Sequence, residues 1–217
     1  MKNVMAIFGF IFISFGLHGQ SKAQYQSYMS ETLALYDSVE SLKDYQEIAN
    51  RLDRIAAAES EEWLPPYYAA LTHIYMSFVD GIENEKRDDY LDKAESYVDQ
   101  AEEIIGETSE IVLLRGYVFM AKVSVNPGLR GMTLSPKVSG LFAKALAMDP
   151  ENPRANLMFG RWKYGSAQFF GSSTEEACSY MAKALELYQA QGEIKSIEPS
   201  WGENQAQAMT NRCQGNK

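Results

Sequence analysis

Residues 141–154, LFAKALAMDPENPR, decide the fold. Phe142, Ala145, Leu146 and, one turn on, Met148 recur at the three- and four-residue spacing of one helical face. Pro150 and Pro153 then forbid the helix from continuing, and Asp149 and Asn152 are turn and cap residues. The stretch reads as the end of one amphipathic helix, a sharp corner, and the start of the next.

The same grammar extends in both directions. Tyr25 to Ser38 carries a helical pattern, and Ser41 is an N-cap for a helix with Tyr45, Ile48, Leu52 and Ile55 on one face. A third helix follows Pro65-Pro66 and runs from Tyr68 to Phe78. Asp80 to Asp89 is a charged turn, and a fourth helix runs from Tyr90 to Ile104, stopped at Gly106. Glu110 to Val123 is apolar on most sides, so it is predicted to lie centrally. Asn126 to Ser135 is rich in breakers and reads as a loop; the helix that follows it ends in the opening stretch. Pro153 opens the seventh helix, Phe169 to Ser173 is a connector, Thr174 starts the eighth, and Ser200 caps a last one. Strand-type alternation is nowhere sustained, so the fold class is all-α.

The second helix of each successive pair repeats a spacing. Ala94, Val98 and Ala101 match Val138, Phe142 and Ala145, and again Ala177, Met181 and Ala184. The closing alanines lie 44 and 39 residues apart, and the helices before them carry Ala70, Gly116 and Gly160. Small residues let two antiparallel helices approach closely, while the bulky residue fills the gap to the next pair. Such units stack because none buries its apolar face alone.

On these residues the chain resembles the tetratricopeptide repeat family over roughly residues 41–191. The best single match is Phe142, Ala145, Leu146, Asp149, Pro150 and Asn152, with Lys183 to Leu187 a truncated echo. The resemblance implies an α-solenoid of about four helix pairs plus a C-terminal capping helix. It departs from the family in length, and the excess is expected between the two helices of each pair. Phe170-Gly171 followed by Glu175, Glu176 and Ala177 is similar to a motif in tetratricopeptide-like proteins that accompany tripartite solute transporters.

Val4 to Leu17 is an apolar run preceded by Lys2, too short to span a bilayer and typical of a signal-peptide core. Residues 1–23 are expected to be a leader, cleaved after Ala23 or after Gly19, leaving a periplasmic or secreted helical repeat domain over 24–217. No other apolar run is long enough to span a membrane. The net charge of -9 argues against a nucleic-acid partner, which needs clustered basic charge to neutralise phosphates.

Catalytic and metal chemistry find little support. Beyond the leader His73 is the single histidine, set on an apolar helix and read as a packed side chain. Asp88-Asp89, Glu102-Glu103 and Glu175-Glu176 are adjacent pairs that diverge on a helix and read as solvated faces. Gly128 to Gly131 lacks a preceding strand, so it is no phosphate loop. No cofactor, no metal and no enzymatic activity are expected.

The two cysteines, Cys178 and Cys213, both fall in the exported part. Each lies 13 residues from its end of the linker between Gln191 and Ser200, so antiparallel helices bring both thiols to one height. A disulfide pinning the capping helix is predicted, with no CxxC or basic activator to suggest a redox role. Tetratricopeptide arrays bind partners on the concave face made by the first helix of each pair. By register with Ala70, Gly116 and Gly160, that face would carry Tyr67, Tyr75, Tyr117, Met120, Arg154, Arg161 and Tyr164. The leading expectation is non-catalytic protein–protein interaction through this groove. The alternative is a small-ligand binder of the transporter-accessory type, its cavity roofed by the long loops.

Overall fold

A computed structural model describes residues 15–192 and 196–215, with side chains from residue 22 onward. The chain order is α1 (Phe15–Leu33), a 3-10 turn (Ala34–Ser38), α2 (Leu42–Ala58), α3 (Leu64–Ser77), α4 (Asn84–Ile105) and α5 (Ser109–Val125). It continues as α6 (Pro127–Met148), α7 (Pro153–Phe170), α8 (Glu175–Gln191) and α9 (Glu203–Gly215). Among the described residues there is no strand. Four pairs, α1/α2 to α7/α8, stack in sequence and α9 closes the last one, so the fold is an all-α helical-repeat array. Residues 1–14 of the expected leader lie outside the described residues, and 15–23 belong to α1. No helix among the described residues is long and apolar enough to cross a membrane.

The repeat spacing is a packing rule. Ala94, Val98, Ala101, Val138, Phe142, Ala145, Ala177, Met181 and Ala184 are all buried. A Cβ added at Gly116 would stand 2.7 Å from the Phe142 ring, and one at Gly160 would stand 2.8 Å from Met181 Cγ. In α5/α6 and α7/α8 the glycine of the first helix is therefore the hole that receives the bulky residue of the second. The central position of α5 is also observed: twelve of its seventeen residues are buried, and it packs on α3, α4, α6 and α7.

Two expected loops are helix instead. Asn126 caps α6 by accepting from Leu129 N–H at 3.2 Å, and Pro127 occupies the first turn, where its missing N–H costs nothing. Arg130 holds Asp88 with two hydrogen bonds of 2.6 Å, anchoring that first turn to α4. Buried Val138, Phe142 and Ala145 fix the rest, so the helix runs through Pro136. The charged turn likewise ends at Glu83, and α4 begins at Asn84. The extra length of each repeat is thus helix, α4 and α6 having 22 residues each. Long loops are not there to roof a cavity.

The outward acids of α4 pair with its neighbours: Asp99 and Glu102 with Arg115, Asp92 and Glu95 with Lys122. His73 is buried, its Nδ1 2.9 Å from Ala69 O and its ring against Tyr90 and Tyr97 of α4. Cys178 and Cys213 form a disulfide with Cα atoms 5.8 Å apart, joining α8 to α9.

Candidate functional site

The first helices of the pairs, α3, α5 and α7, lie side by side and form the concave face. Their N-terminal halves carry Tyr67, Glu110 and Arg154. Tyr67 donates to Glu110 Oε2 at 2.8 Å, while Arg154 contacts Glu110 Oε1 through Nε at 2.8 Å and Nη2 at 2.6 Å. Asn152 adds a third donor at 2.8 Å. A largely covered carboxylate gains from this many partners, because desolvation without them costs more than one ion pair returns. Burial and the adjacent Glu110 charge together hold the Tyr67 hydroxyl well above the usual phenol range.

This half of the face is covered by the chain itself. Residues 196–202 cross it as a strap. Tyr68 donates to Ile197 O at 3.1 Å, Trp201 Nε1 donates to the Tyr67 hydroxyl at 2.9 Å, and Tyr188 donates to Trp201 O at 2.8 Å. Ile197 and Pro199 are buried against the face. Gly202 ends the strap at φ 109°, a conformation that favours glycine, with the Tyr188 hydroxyl filling the space a Cβ would need.

The C-terminal half is lined differently. The Tyr75 ring meets Tyr36 edge-on at 6.1 Å and Tyr45 at 5.9 Å. Tyr117 is flanked by Phe78 at 6.2 Å, by Trp201 stacked at 6.1 Å, and by the Arg161 guanidinium 5.9 Å from its ring centre. Met120 lies one turn beyond Tyr117, and Arg161 donates to Gln205 of α9 at 2.7 Å. Phe78 is exposed; Tyr36, Tyr45, Tyr75, Met120, Arg161 and Trp201 are half-buried. Burial raises the hydroxyls of Tyr45, Tyr75 and Tyr117 above the usual phenol range, so at neutral pH they are uncharged donors. Flat aromatic walls, neutral hydroxyls and one guanidinium suit a planar apolar molecule bearing a carboxylate.

The seven residues expected on one accessible face are therefore divided. Tyr67 and Arg154 lie beneath the strap, and Tyr117 is the buried floor beside it. Tyr164 is buried with Met181, Met209 and the disulfide, under the Arg212 guanidinium. Tyr75, Met120 and Arg161 remain half-buried in the other half of the face. Tyr36, Tyr45, Phe78 and Trp201 were not foreseen there. The signal for the strap was present in Ile197 and Trp201, apolar residues without helical spacing between Gly192 and Gly202.

Elsewhere, a cleft of about 540 Å³ between α1 and α2 is lined by Tyr25 and Tyr28 among charged residues such as Glu31, Arg51, Arg54 and Glu59. Among the described residues no group of His, Cys, Asp and Glu is arranged to hold a metal ion.

No protein-family model and no curated protein matches the chain. Among solved structures, the HusA haemophore from Porphyromonas gingivalis is similar, with a TM-score of 0.78 and 32% sequence identity. The alignment covers 89% of this chain and 94% of that one. Identity at this level, sustained over nearly the whole fold, means that the chain belongs to the family of the HusA haemophore.

Proposed function

We propose that the protein is an exported, non-catalytic haem-binding protein whose ligand occupies the aromatic half of the concave groove. The observation that carries this is the haemophore likeness, 32% identical over 94% of that chain. The groove supplies the chemistry. A porphyrin has two broad apolar faces, matched by Tyr75, Phe78, Tyr117 and Trp201, and propionate groups, matched by Arg161. Of the groups lining this half, the Tyr45 or Tyr75 oxygen and the Met120 thioether would be the ones to hold the iron, whereas His73 packs against α4.

Of the two binding roles raised by the sequence, this reading favours the small ligand over a protein partner. The tetratricopeptide-like spacing then describes the scaffold rather than the use to which it is put. Export is supported by the leader pattern of residues 1–23 and by the disulfide, which persists in oxidising compartments.

Haem titration of the chain from Gln24 onward, followed by the Soret band, tests the proposal. Saturable one-to-one binding is expected, weakened about tenfold in Arg161→Ala through loss of a charge-assisted hydrogen bond. Absence of a saturable Soret change at micromolar haem, with the fold intact by circular dichroism, overturns it.

A further inference from the structure

A second surface stands apart from the groove. Trp162 Nε1 donates to Ser139 Oγ at 2.8 Å, which fixes α6 and α7 in antiparallel register. Met132 and Phe169 each lie seven residues from that bond, so both are about 10 Å along toward the same end of the molecule. There Leu129 is 72%, Met132 91%, Phe169 76% and Phe170 78% exposed, and the two phenylalanine rings touch at 5.0 Å. Side chains this exposed are not core residues with thin cover. They protrude, whereas the anchors of a protein interface usually sit in preformed pockets.

The charge around them is distinctive. Residues 126–137 and 159–173 contain Arg130, Lys137, Arg161 and Lys163 and no Asp or Glu, in a chain of net charge -9. Arg161 turns into the groove. Lys137 is exposed with its ammonium over the Phe119 ring, Arg130 pairs with Asp88, and Lys163 pairs with a largely exposed Glu176. The facing carboxylates are Asp88 and Asp92 of α4 and Glu176 of α8, with Glu175 at the edge, its N–H donating to Ser173 Oγ at 3.2 Å.

We propose that this end of α6 and α7 is a docking surface for an anionic lipid membrane, with Leu129, Met132, Phe169 and Phe170 entering the interface and Lys137 and Lys163 meeting the headgroups. Protruding apolar tips with basic flanks suit a fluid bilayer, which closes around each side chain without a shaped partner. The contact proposed is that of side chains with the interface; no described helix is long and apolar enough to cross a membrane. This goes beyond haem binding and does not depend on it.

Vesicle co-sedimentation tests it, using phosphatidylcholine with and without phosphatidylglycerol. The ligand-free protein is expected to sediment with the mixed vesicles, to be released by salt, and to bind pure phosphatidylcholine weakly. Phe169→Ser/Phe170→Ser should lower the partition by about tenfold or more, and Lys137→Glu should lower it on the anionic vesicles alone. Both variants change exposed side chains and should keep the wild-type circular dichroism spectrum and haem affinity. Wild-type protein that stays in the supernatant overturns the proposal. So does a double variant that binds vesicles normally, one that splits a wild-type dimer on size exclusion, or one that loses haem affinity instead.

Discussion

Trp201 and Tyr67, 134 residues apart in sequence, share a hydrogen bond of 2.9 Å that ties the strap to α3, in the second helix pair. The Tyr67 hydroxyl accepts from the indole and donates to Glu110, so it is satisfied in both directions. Tyr67→Phe leaves the indole without an acceptor and the half-buried Glu110 carboxylate one donor short. A loss of about 1–3 kcal/mol in urea unfolding is expected. An unchanged midpoint would show that the strap does not depend on this hydroxyl.

Gly116→Ala tests the close approach of α5 and α6. Its Cβ would meet the fully buried Phe142 ring at 2.7 Å, and the ring has little room to retreat. A destabilisation of about 1–3 kcal/mol follows from overpacking. Adding Phe142→Leu should recover part of it, which a simple loss of helix propensity would not do.

The disulfide closes a separation of 35 residues. The chain-entropy model assigns about 4 kcal/mol to a loop of this size. Cys178→Ser/Cys213→Ser should lower the melting temperature. Because Arg161 is held by Gln205 on the tethered α9, the variant should also weaken haem binding. Equal melting temperatures with and without reductant would contradict the stabilising role.

Burial lowers the His73 pKa below its usual 6.5, so the folded state keeps the ring neutral where the unfolded chain would protonate it. The associated stability is fully present above about pH 6.5 and is lost as pH falls toward the depressed folded value. Stability measured between pH 7.5 and 5.5 should therefore decline, and His73→Gln should flatten that decline. The same variant should leave the absorption spectrum of bound haem unaltered, since His73 packs on α4 rather than in the groove.

What the sequence disclosed was set by local periodicity. Gly116 with Phe142, and Gly160 with Met181, were legible because repeat packing imposes one spacing on α4, α6 and α8. The cysteine pairing was legible because helix rise converts residue counts into heights. The start of α6 was not. Its Pro and Gly residues are poor helix formers, and what overrides them is tertiary: the Asn126 cap and the clasp of Arg130 on Asp88. The division of the groove was hidden for a similar reason. Nothing periodic in residues 196–202 tells that Ile197 and Trp201 lie against Tyr68 and Tyr67. The aromatic neighbours Tyr36 and Tyr45 come from the preceding repeat and its 3-10 turn, outside the helices used for the register.

An ordinary repeat array is a string of nearest-neighbour contacts, and units are lost from or added to its ends without disturbing the middle. The strap makes this one a closed circuit. By fastening residues 197 and 201 to residues 68 and 67, it couples the last repeat directly to an early one and bypasses those between. Trimming back from the α9 side would therefore lay bare the Tyr67–Glu110–Arg154 cluster in the interior, and the array should unfold as one cooperative block rather than fray from its ends.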